Sequence, residues 1–260
     1  MRHHIIAACL VVTPLVMGCD KKSDSGAAPT SSALGAAERP SESAIAFTVQ
    51  PGGKATFLMH APLEKIHGEA PDSTAGELFV DPKDVSKSSA LVKVDLDKLV
   101  LYQEKRENEQ GEYGERAKSD TQNEHARAWL EIGEDAPKDV REKNRWVEFK
   151  ITRLEDASEK DLTKLTGAER KITATAVGEL RLHERVAPKR AKIEATFKFE
   201  GDKLVSVSAK TVEPVVVDLA THDVRPREAF GKLAQRTLEA MGSKVNKESP
   251  VHLEFTAVAK

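Results

Sequence analysis

The sequence predicts an all-β protein: an antiparallel barrel of about eight strands with one or two short helices. Three observations carry that expectation. The dominant hydrophobic period beyond Ala44 is two. Turn residues divide the alternating runs into short segments, and only two stretches depart to a helical period.

The runs justify themselves in chain order. In "SALVKVDLDKL" Val92, Val94 and Leu96 fall on one face. In "NRWVEFKITRLED" Val147, Phe149 and Ile151 oppose Trp146, Glu148, Lys150 and Thr152. "ERKITATAVGELRLHE" sets Ile172, Ala174, Ala176, Leu180 and Leu182 against Thr173, Thr175, Glu179 and Arg181. "RAKIEATFKFEGDKLVSVSAK" alternates through Ile193, Ala195, Phe197 and Phe199. It turns at Gly201-Asp202 and resumes with Val205 and Val207, the pattern of a hairpin with one dry face. The terminal "SPVHLEFTAVA" repeats it through Val251, Leu253 and Phe255. Alternation this regular indicates antiparallel pairing with one solvated face, and closure removes the edges that an open sheet would expose.

Two stretches read as helices. "SDTQNEHARAWLEIGED" spaces Ala126, Trp129, Leu130 and Ile132 helically behind a cap at Asp120 or Thr121. "PREAFGKLAQRTLEAMG" gathers Phe230, Leu233, Leu238 and Met241 before Gly242, a C-cap residue. The run "QEKRENEQGEYGERAKSD" reads as a solvated connection without chemistry.

The N-terminus has another character. Arg2 precedes the apolar run Ile5–Val12, Pro14 interrupts it, and "LVMGCD" places small Gly18 directly before Cys19. The run falls short of the roughly 20 apolar residues that span a bilayer and reads as a secretory signal. Its end resembles the lipobox of bacterial lipoproteins, in which cleavage precedes a cysteine that then carries a diacylglyceryl group. Ordinary signal cleavage beside a chance cysteine is the bland alternative. Cys9 lies within the removed part, so Cys19 is expected to be the only thiol of the mature chain. That leaves no partner for a disulfide. The resulting division is a lipoprotein signal over 1–18, a flexible tether over 19–43 and a folded domain over 44–260. A tether rich in Ser, Ala, Gly and Pro would hold the domain roughly 25–30 Å from a membrane, at about 5–6 Å times the square root of its length. The expected location is the bacterial cell envelope, anchored through Cys19 and facing the periplasm.

Composition removes other classes. Charged residues make up 32% of the chain yet nearly cancel, to a net charge of -2, and no basic block interleaves with aromatics. Nucleic acid is therefore not expected as a partner. The histidines beyond the signal (His60, His67, His125, His183, His222 and His252) form no H-x-H or H-E-x-x-H set, so no metal site is expected. No nucleophile elbow, P-loop or dinucleotide fingerprint occurs, and the expectation is a binding protein without catalytic residues or cofactor. A homodimer stays open.

The order of motifs resembles the YceI-like family, bacterial polyisoprenoid-binding domains with a lipocalin-like barrel. The residues that carry the resemblance run from "KATFLMHAPLEKIHGEAPDSTAGELFVDPKDVSKSSALVKVDLDKL" through "NEHARAWLEI" to "VGELRLHERVAPKRAKIEATF". They include Gly68, Gly76, Asp81-Pro82, Gly178, Leu180 and His183. The chain departs from the family at Asn123-Glu124, where an Arg-Asp pair is usual before the histidine, and at Glu184, where glycine is usual. The resemblance implies an apolar lumen holding an isoprenoid-type lipid or quinone. The dry-face residues Phe57, Met59, Val94, Phe149, Phe197, Val217 and Phe255 would line it. The alternative is that these residues pack one another in a filled barrel that acts through protein contacts.

Overall fold

The computed structural model describes residues 27–225 and 247–260. The expected helix over Phe230–Met241 and the Cys19 anchor both lie outside the described residues. The described residues form thirteen strands in antiparallel array: β1 (Ile45–Val49), β2 (Lys54–Ala61), β3 (Glu64–Ala70), β4 (Thr74–Val80), β5 (Ser89–Asp95), β6 (Val100–Lys105), β7 (Ala117–Lys118), β8 (Trp146–Glu155), β9 (Glu169–Leu182), β10 (Arg185–Glu200), β11 (Lys203–Thr211), β12 (Val215–Asp218) and β13 (Glu248–Ala259).

Their pairing resolves into eight continuous ribbons. Ile45 lies opposite Val80 and Ala55 opposite Ala70, so β1–β2 and β3–β4 are two bent ribbons holding a single register. Next comes the β5–β6 ribbon, which pairs with β4 and β3 in turn. Single ribbons β8, β9 and β10 follow, and then β11–β12. Finally β13 pairs with β11 and β12 on one side and with β1 and β2 on the other, closing the ring at Phe47 opposite Ala259. The eight-stranded antiparallel barrel expected from the alternation is the observed fold.

Local devices bend and fix this sheet. A Cβ on Gly76, at φ 128°, would sit 1.9 Å from the Leu91 carbonyl, so only glycine lets β4 approach β5 there. A bulge in β8 between Ile151 and Arg153 reverses parity, which turns Leu154 inward. A second irregularity, beside Phe199, pairs Phe199 with Leu204. Leu204 then occupies the core position expected for Val205, which is only half-buried. The β9–β10 hairpin turns on His183 and Glu184 alone, at φ 50° and 56°, the left-handed pair of a tight two-residue turn made here without glycine.

Two helices sit between β7 and β8. Helix α1 (Asp120–Trp129) is capped by Ser119, one residue before the expected cap, through Gln122 N–H. Helix α2 (Lys138–Asn144) was not expected, because KDVREKN offers no apolar period.

The largest departure concerns the tether. Residues 27–43 lie against the barrel wall as a strap. Ala28 N–H donates to the Thr221 carbonyl at 2.7 Å, and Thr30 bridges Arg185. Leu34 N–H donates to Glu148 at 2.7 Å, and Ser89 donates to the Glu38 carbonyl. Ser41 and Ser43 both donate to Asp81. Glu148 and Arg181 point outward from the sheet yet are 1% and 2% exposed beneath the strap. Glu148 is ion-paired to Lys93 at 2.9 Å, while Arg181 donates to the Ser31 and Lys143 carbonyls. Buried charges of this kind require such partners, which explains why a Ser- and Ala-rich segment is held in place.

Candidate functional site: a cup within the barrel

The barrel differs along its axis. At one end it is filled. Phe47, Leu78, Ile172, Phe197, Leu204 and Val207 interlock with Val85 and Leu162, which belong to two short 3-10 turns that plug the opening. Those turns hold each other through Val85 N–H to the Lys160 carbonyl and Leu162 N–H to the Pro82 carbonyl, both 2.8 Å. Arg170 lies over the Phe199 ring at 3.7 Å and donates to the Leu162 carbonyl. Together these contacts cover this end of the barrel.

The other end is hollow. A cavity of about 920 Å³ occupies the upper half of the barrel. Its walls are the inward positions of successive ribbons: Phe57 and Met59 on β2, Val94 on β5, Phe149 on β8, Val217 on β12 and Phe255 on β13. Alanines create the space. Ala55, Ala70, Ala176, Ala191 and Ala209 stand at inward positions where a larger side chain would reach across the lumen. Phe57 lies flat over Gly68, its cross-strand partner, where any Cβ would clash with the ring at 2.1 Å. Gly68 therefore presses the aromatic ring to the wall and keeps it out of the lumen.

Polar groups concentrate at the rim. Lys189, Asp218, Asp223 and Arg225 border the opening on one side, and His60, Glu64, Gln122 and His125 on the other. Helix α1 crosses this side with Ala126 and Trp129 facing the cavity, and Leu130 at its C-cap adds to the same wall. Asn123 fixes the helix by imitating a backbone amide: it accepts from Leu101 N–H at 3.0 Å and donates to the Leu101 carbonyl at 2.9 Å. Below α2, Arg145 grips Asp95 through Nε at 2.9 Å. Burial alone would raise the Asp95 carboxyl; the Arg145 guanidinium and Asp97 amide reverse that and hold it below the usual range. The Thr221 amide likewise keeps Asp218 ionised at the rim. Burial pushes the His222 imidazole down, so it stays neutral under the β9–β10 turn, with Nδ1 3.1 Å from the Arg185 carbonyl.

No protein-family model matches the chain, and no curated protein is significantly similar to it. Two solved structures are alike in chain path. A polyisoprenoid binding domain from Saccharophagus degradans, implicated in plant cell wall breakdown, shares 12% identity at a TM-score of 0.48, over 83% of this chain and 99% of that one. BcnA from Burkholderia cenocepacia shares 13% at a TM-score of 0.44, over 80% of this chain and 96% of that one. Likeness at this level assigns no ligand.

Six of the seven expected lumen residues (Phe57, Met59, Val94, Phe149, Val217 and Phe255) come together on the cavity wall. Phe197 does not. It is 2% exposed within the filled end, because alternation sets the face of a strand but not the depth along the barrel. Sequence reasoning missed the alanines and the α1 face. Small residues at inward positions were the available signal for the former, and Trp129 at helical spacing with Ala126 for the latter. Among the described residues no group of three or more metal-ligating side chains occurs.

Proposed function

We propose that this chain is a YceI-like envelope lipoprotein that binds an isoprenoid-type lipid in the cup and is anchored through acylated Cys19. The single observation that supports this best is an apolar cavity, closed at one end, whose polar groups gather at its rim. An elongated apolar ligand needs that arrangement. Its tail gains about 25 cal/mol for each Å² removed from water, and any polar end stays at the opening. The volume falls within the roughly 300–1,000 Å³ of typical ligand sites.

The lining disfavours the filled-scaffold reading, because inward positions on successive ribbons border an open space rather than one another. A barrel acting only through its outer surface gains nothing from the alanines that keep the lumen open.

The test is organic extraction of the full chain purified from a bacterial envelope, followed by mass spectrometry. About one isoprenoid-type lipid per chain is expected. Recovery of no apolar molecule from a folded protein would overturn the lipid reading. Cys19→Ala tests the anchor in parallel: wild type should partition into detergent and the variant should not, and equal partitioning would contradict acylation.

A further inference from the structure

The strap has a direction. Its first described residue, Ala27, borders the cavity, and Ala28 bonds Thr221 beside the rim while Arg185 donates to the Ala28 carbonyl. The strap then descends the wall past Glu148 and ends at the closed end, where Ser41 and Ser43 hold Asp81. An anchor at Cys19 therefore acts on the mouth. Eight residue steps separate Cys19 from Ala27, and a chain spans at most about 3.6 Å per residue, so the mouth can stand no more than about 30 Å from the anchored sulfur. A tether free up to Ser43 would allow roughly three times that reach and any orientation.

We infer that the docked strap turns the cavity mouth toward the membrane, so that the rim is a lipid-facing surface and the cup is loaded directly from the leaflet that holds Cys19. The inference rests on the acylation of Cys19 proposed above. The surface at the mouth is consistent with such contact. Leu63, on the β2–β3 turn at this end, is 48% exposed, and Arg106 beside it donates to the Pro62 carbonyl. Val216, which faces outward on β12 beside inward Val217, is also exposed. An apolar tip with a neighbouring cation suits an interfacial position. Charges of both signs border the opening, so the anchor and these apolar tips, rather than net attraction, would hold the mouth down. An isoprenoid tail would then pass from bilayer to cup without crossing water.

The test uses the mature chain beginning at Cys19, coupled through that thiol to maleimide-lipid in phosphatidylcholine vesicles containing brominated lipid. Chemical coupling makes the geometry testable whether or not the cell acylates Cys19, and no ligand is needed. In a Trp129→Phe, Trp146→Phe background, a tryptophan at the mouth (Leu63→Trp) is expected to be quenched at least threefold more than one at the closed-end turn (Asp202→Trp). Replacing residues 27–43 by a Gly/Ser run of equal length should abolish that difference. Equal quenching at the two ends, or stronger quenching at Asp202→Trp, would overturn the inference. Should the tryptophan-free background fail to fold, hydrogen exchange of the coupled wild-type chain decides. Slowed exchange at Leu63, Glu64 and 219–225, but not at 201–202, is expected on vesicles, and uniform exchange would overturn it. Failure of the lipid or anchor reading appears instead in the extraction and partitioning experiments.

Discussion

Phe149 and Phe197 are chemically identical and occupy the same face of the sheet, yet they sit in opposite environments. Phe149 borders the open cavity, whereas Phe197 is enclosed by the filled end. A carboxylate in place of Phe197 would be dehydrated in the filled end, where its cross-strand neighbour Arg170 is already engaged over Phe199 and with the Leu162 carbonyl. Phe197→Glu should cost about 3–5 kcal/mol, lowering the melting temperature by roughly 10 °C for a domain of this size. A carboxylate at Phe149 can be hydrated from the mouth, so Phe149→Glu should cost less than half as much while abolishing uptake of an apolar probe. Paired thermal melts and probe titrations check this, and equal destabilisation by the two would mean that the cavity is not hollow. The sequence made the inward face of both residues legible through their period of two. Depth was not legible, because it depends on which ribbons pair at each level and on the plug formed by Val85 and Leu162.

Among elements, the loop after β12 couples the mouth to pH. His222 in that loop is 1% exposed, and its folded pKa is depressed by burial. Between that depressed value and the unfolded value of about 6.5, the unfolded chain binds a proton that the folded chain does not. Stability therefore rises with pH through this window and is lost as pH falls below about 6.5. Urea unfolding at pH 7.5 and 5.5 should show a loss in wild type that is clearly smaller in His222→Gln. An unchanged pH dependence in the variant would contradict the assignment. Asp95, depressed chiefly through Arg145, adds a separate loss only below about pH 4. Two other elements illustrate what the sequence concealed. The strap has the composition of a linker, and the signal for its docking lies elsewhere, in outward-facing Glu148 and Arg181 that need buried partners. Helix α2 carries no apolar stripe, so periodicity could not reveal it.

At the scale of the whole molecule, the barrel is a cup because two short turns carrying Val85 and Leu162 plug one end. Inward alanines such as Ala176, Ala191 and Ala209, where the packed end meets the cavity, leave the space above them open. Closure and strand number follow from alternation, but hollowness depends on side-chain volumes summed across ribbons distant in sequence. Ala191 shows how directly this can be tested, since it lies inward on β10 at the cavity wall. In a packed core an added aromatic ring would cost about 1–3 kcal/mol through overpacking; in a hollow lumen it fills space and leaves the fold intact. The most direct measurement is titration of the folded chain with a fluorescent farnesyl probe, with unlabelled geranylgeraniol as competitor, for wild type and Ala191→Phe. The predicted result is saturable 1:1 binding by wild type, displaced by the competitor and weakened at least tenfold in Ala191→Phe without loss of stability. No saturable binding by wild type, or equal binding by both proteins, would contradict the account.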